Sequence, residues 1–205
     1  MTENQLIDLG ALDPRAVAVL WRLGFISPNE LKDLAALWLA DGRDLGSPEI
    51  ATIAMGMAEE IWSALQAGLR EMGLAALSHE QETQLSLILA TDWMIVEPPF
   101  ASKAFGALES VYYSRGNVQV AHPDEPQNKP SEYAFSELGL ETLLCLIWEY
   151  RDLLEDEHLA SYNKTTPEEH LSEVVVEARK LNDYYRRHFP KMAALAPQAS
   201  NSMSQ

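Results

Sequence analysis

GFISPNELKDLAALW, residues 24–38, marks a helix boundary three ways within seven residues. Gly24 can take the left-handed conformation that closes a preceding helix. Ser27 offers a side-chain oxygen to a backbone N–H left unpaired in the first turn of the next helix. Pro28 fits the following position, where a missing N–H costs nothing. Glu30 stands three residues after Ser27, at capping-box spacing, and brings negative charge to the helix end that favours it. From there Leu31, Leu34, Leu37 and Trp38 recur at three- and four-residue steps, as one face turned to a core requires.

The same pattern recurs along the chain. Asp13-Pro14, Ser47-Pro48 and Thr166-Pro167 are further helix starts, the last two followed by Glu49 and by Glu168 with Glu169. Stops at Gly24, Gly42 and Gly73 predict helices over 13–23, 28–41 and 48–72. In the third, Ile50, Ile53, Ala54, Met57, Ala58, Ile61 and Leu65 share a face. Gly56 and Gly68 either weaken it or permit close packing. A fourth helix is expected over 78–96, halted by Pro98-Pro99, and a fifth over 99–115. A sixth spans 136–157, with Leu140, Leu143, Leu144, Ile147, Trp148, Arg151 and Leu154 along one side. A seventh covers 167–189 and stops before Pro190. Residues 117–131 hold three prolines and no helical period, so a long loop is expected there. Residues 193–205 are small and polar, and a flexible tail is expected. The fold class is therefore all-α: a single-domain bundle of about seven helices over 1–192, with a possible subdivision near 75.

Composition narrows the function classes. The chain has 205 residues, enough for one domain, with 47% hydrophobic residues to build a core. Its 31 acidic and 15 basic residues give a formal charge of -16. That field repels phosphates and anionic lipid and attracts basic proteins, although acidity also serves solubility alone. Neither nucleic acid nor membrane is expected as a partner. No run approaches a membrane span, the N-terminal MTENQLIDLG is not a secretory signal, and a cytoplasmic location is expected. Cys145, the one cysteine, permits no intramolecular disulfide and sits in the run LLCLIW, where a buried thiol acts as a small hydrophobe.

Motifs for chemistry are sparse. VAVLWRLGFISPNELKDLA has the outline of a helix–turn–helix, but Lys32 is the one base on its second helix, against Glu30, Asp33 and Asp41. Glu155 and His158 form one Glu-x-x-His, whereas a carboxylate-bridged di-metal bundle needs two. A metal-binding enzyme using inward carboxylates with His158 or His170 is one alternative; a homo-oligomeric structural or adaptor protein is another. No catalytic residue, metal ligand or cofactor is assigned. Trp21, Trp38, Trp62, Trp93 and Trp148 all take interior-looking positions, and core packing is their ordinary use. Tyr112-Tyr113 and Tyr184-Tyr185 place adjacent rings on different helix faces, so one ring of each pair is expected outside.

Charge placement points further. Residues 149–157, EYRDLLEDE, hold five acids and one arginine near a helix C-terminus, where the dipole disfavours them. Residues 178–191 hold five bases and one acid. An acidic cluster kept against the dipole suits a basic partner, or a contact with that basic segment. Asp33, Asp41, Asp44, Glu59, Glu60, Asp152, Glu155, Asp156 and Glu157 are the candidate partner-binding residues, with the 117–131 loop as a second binding element.

LWRLGFISPNELKDLAALWLADGRDLGSPEIATIA, residues 20–54, resembles a pattern in small bacterial helical immunity proteins of polymorphic toxin systems. There an aromatic–glycine–hydrophobic–Ser-Pro turn precedes an acidic helix. The resemblance implies a non-enzymatic protein that binds a toxin, often a basic nuclease, and neutralises it by occlusion.

Overall fold

Side-chain caps open the helices where the sequence places them. The computed structural model describes residues 8–114, 140–155 and 166–197. Asp13, Ser27 and Ser47 cap α1 (Pro14–Arg22), α2 (Pro28–Ala40) and α3 (Pro48–Ala54), each with proline next. Then come α4 (Ile61–Glu71), α5 (His79–Val96) and α6 (Ala101–Ser114). They are followed by α7 (Glu141–Glu155), α8 (Pro167–His188) and the single turn α9 (Pro190–Ala193). Short 3-10 turns at Leu9–Ala11 and Pro98–Phe100 complete the set, and the described residues contain no strand. Ser27 with Glu30, Ser78 with Gln81 and Thr166 with Glu169 form full capping boxes. Each satisfies two otherwise unpaired backbone donors.

The stops also follow one rule. Backbone N–H groups of Phe25, Arg43, Met57 and Leu74 reach back to the carbonyls of Leu20, Trp38, Thr52 and Leu69. Each closes a helix around a left-handed glycine. The third of these corrects the expected 48–72 helix. Gly56, at φ +69°, ends α3 at Ala54, and the chain restarts at Ile61. Gly68 plays the other part considered for it. A Cβ there would stand 2.5 Å from Ile50 Cδ1, so its absence lets α4 press against α3.

The bundle is arranged around α5. Leu85 through Thr91 are consecutively buried, so this helix is covered on every side, and α1, α6, α8 and α9 pack against it. Each fully buried leucine or isoleucine there contributes about 2 kcal/mol through removal from water. One hydrophobic core runs from Leu12 to Ala196 and crosses position 75 without a break. Phe25, Trp93 and Phe100 form an aromatic cluster beside it, Phe25 and Phe100 meeting edge to face at 4.8 Å between centroids.

Two expectations change here. Residues 193–197 are not a loose tail: Ala196 is buried, and the Leu195 carbonyl accepts from the Asp13 N–H at 3.1 Å. Tyr184 and Tyr185 are both buried, because α8 lies against two elements at once. The 117–131 loop, residues 198–205 and the side chains of Tyr112 and Tyr113 lie outside what is described.

Candidate partner-binding face

The register of α7 decides which residues meet solvent. Leu143, Leu144, Ile147, Tyr150 and Leu153 are buried against α6 and α8. On the opposite side Glu141, Cys145, Trp148, Asp152 and Glu155 are exposed. They fall at −7, −3, +4 and +7 from Trp148, which is one helical stripe. Trp148 is 62% exposed, and Leu154 is exposed too, so neither belongs to the inward face expected for them. Cys145, expected among core hydrophobes, is likewise outside. Of the other tryptophans, Trp38 is fully buried and Trp62 is partly exposed.

The stripe carries three carboxylates and no basic residue of its own. Helix α7 carries Glu141, Glu149, Asp152 and Glu155, against Arg151 alone. Arg151 turns from the stripe and lies 5.2 Å from the centre of the Phe105 ring. Its charge is used against an aromatic face on α6.

The carboxylates continue across onto α8. His170, buried between the two helices, has Nε2 at 3.1 Å from the Leu146 carbonyl and 3.4 Å from Glu149. Its Nδ1 lies 3.9 Å from Glu173, one turn along α8. Glu149 and Glu173 are both largely exposed, so the imidazole sits beneath a carboxylate from each helix. Beyond it an open depression of about 340 Å³ is lined by Leu146, Ser172, Glu173, Val176 and Glu177. Among the described residues no group of three or more histidine, cysteine, aspartate or glutamate side chains is placed to hold a metal ion.

The remaining sequence candidates separate. Asp33 and Asp41 are exposed on α2 and at its C-terminal end, and Glu59 and Glu60 are exposed just before α4. Those elements pack around α3, whereas α7 packs on α6 and α8. Asp44 does not offer a contact surface. It is 6% exposed, and its carboxylate accepts the Gly46 N–H at 2.9 Å across the tight turn that holds Leu45 at φ 50°. Asp152 and Glu155 lie on the α7 stripe, while Asp156, Glu157 and His158 are outside the described residues. Leu45, Met55 and Met57 are exposed in the turns after α2 and α3.

One base of the segment 178–191 is used inside the fold, while any contact of that segment with Asp156 and Glu157 lies outside the described residues. Arg186 on α8 pairs with Asp92 on α5 and donates to the Ala196 carbonyl at 2.8 Å. Asn182 donates to the Ile88 carbonyl, to Thr91 Oγ1 at 2.9 Å and to Asp92 at 2.9 Å, and accepts from Arg186. This polar cluster fastens α5, α8 and the C-terminal segment together, on a side of α8 separate from the depression.

No family model matches the chain, and neither the curated proteins nor the solved structures contain a match to it.

Proposed function

We propose that this protein is an acidic helical binding module whose α7–α8 face occludes a basic protein, in the manner of an immunity or inhibitor protein against a basic toxin. The observation that carries this reading is Trp148, 62% exposed on a stripe with Glu141, Asp152 and Glu155. A large exposed aromatic provides contact area at low entropic cost and is a common anchor of protein interfaces. The carboxylates around it steer a cationic surface into place and fix its orientation. Glu149 and Glu173 extend the same charge over the join between the helices. The resemblance of residues 20–54 to immunity proteins agrees with this use, in a cytoplasmic setting, with no catalytic residue or cofactor required.

The test is capture of partners from the native cell on immobilised wild-type protein and on Trp148→Ala. A basic protein retained by wild type, released as salt rises and lost from the variant supports the proposal. Retention of the same protein by both forms overturns it.

A further inference from the structure

Glu177 is a carboxylate placed where carboxylates are costly. It is 9% exposed, and Lys180 stands 3.8 Å from its Oε2. Its other oxygen, Oε1, is buried and has no hydrogen-bond partner among the described residues. Such an oxygen has given up water without gaining a donor, which destabilises the fold unless something else supplies one. Glu177 also lines the depression between α7 and α8, together with Leu146 and Val176. Glu173, one turn before it, stands on the same depression and is 63% exposed on its side chain.

We propose that this depression is a subsite for one arginine or lysine side chain of the basic partner, so it rests on the function proposed above. An aliphatic stem fits against Leu146 and Val176, as long basic side chains lie along apolar surface with their charge at the tip. The head group then meets Glu173 at the opening and Glu177 below it. The terminal carboxylate torsion of glutamate is soft, so Oε1 can turn to an arriving N–H. A guanidinium fits best, because it can donate to both carboxylates at once. Occupancy of this subsite gives the Trp148 anchor a second fixed point on the neighbouring helix, which sets the partner's orientation.

The experiment titrates ¹⁵N-labelled full-length protein with n-butylguanidinium, and in parallel with n-butylurea, its neutral near-isostere. The expected result is a saturable shift of the Leu146, Ser172 and Val176 amide signals with n-butylguanidinium alone. Glu177→Gln is expected to weaken that binding roughly tenfold. Glu173→Gln, at an exposed position that leaves the fold intact, is expected to weaken it by a smaller factor. Equal response to both probes, or wild-type affinity in both variants, overturns the subsite. If the probe fails to bind while Trp148→Ala still abolishes capture of a basic protein, the subsite falls and the binding face stands. If the probe binds as expected but no basic protein depends on Trp148, the subsite stands and the proposed function falls.

Discussion

Arg186 reaches from α8 to the Asp92 carboxylate on α5, joining residues 94 positions apart in the chain. Burial raises the Asp92 carboxyl from its ordinary 3.8 to about 6, although the Arg186 charge and hydrogen bonds from Arg186 and Asn182 pull the other way. The folded protein thus holds this proton more tightly than the unfolded chain does. Asp92's contribution to stability is greatest below about pH 4 and is lost as the pH rises towards 6. The interval corresponds to about 3 kcal/mol at most. Denaturant unfolding of wild type and Asp92→Asn from pH 4 to 7 isolates it. The wild-type stability relative to the variant is expected to fall across that window; a relative stability that grows with pH would show that Asp92 is held charged instead.

Removing the arginine tests the same pair from its other side. Arg186→Met leaves Asp92 buried beside Asn182 with no cation, and frees the Ala196 carbonyl that Arg186 also holds. Breaking a buried pair from one side costs about 3–5 kcal/mol. The loss is expected to be larger at pH 7 than at pH 4.5, where Asp92 can take a proton. An equal loss at both values would mean that packing, not charge, sets the cost.

Gly68→Ala tests the close approach of α3 and α4. The new methyl would meet Ile50 Cδ1 at 2.5 Å and Cγ1 at 2.8 Å, and Ile50 is fully buried, so the side chain must shift within the core. Overpacking of this kind costs about 1–3 kcal/mol. Ile50→Val in the same chain is expected to recover part of it, so the two changes should be clearly non-additive in a thermal unfolding series. Simple additivity would place the strain elsewhere.

Two tryptophans make opposite predictions. Trp38 is wholly buried, and Trp38→Ala is expected to cost about 3–5 kcal/mol. Trp148→Ala, on the outer stripe of α7, is expected to change stability by about 0.5 kcal/mol or less. Urea midpoints for the two variants decide the register of α7: a large loss at Trp148 would mean that it is a core residue after all.

How much of this was legible follows from where each signal lies. Helix starts are local, since a cap, a proline and a carboxylate within four residues make one, and all four cap–proline starts hold. The α3–α4 break was hidden because apolar residues kept their spacing from Ile50 through Ile61 while the backbone turned at Gly56. In α7, Trp148 stands four residues after Leu144, and Arg151 and Leu154 stand four and seven after Ile147, so spacing alone puts them with the core. The better guide was Glu141, Asp152 and Glu155, whose spacing from Trp148 marks the solvent side. Asp92 with Arg186, and Glu149 with His170, join residues distant in the chain and have no local signature. Asp44 stands in a turn, where the sequence places a carboxylate at the surface, yet it is folded back onto Gly46.

The proposed function places a basic protein on α7 in the cell. A photo-crosslinking residue in place of Trp148 reports this in the native cell, with exposed Ala36 on α2 as the control position. A single adduct with a basic protein, formed from position 148 and absent from position 36, is expected. Adducts from both positions alike, or none from 148 while Leu45 or Met57 on the other turns gives one, would place the binding surface somewhere other than α7.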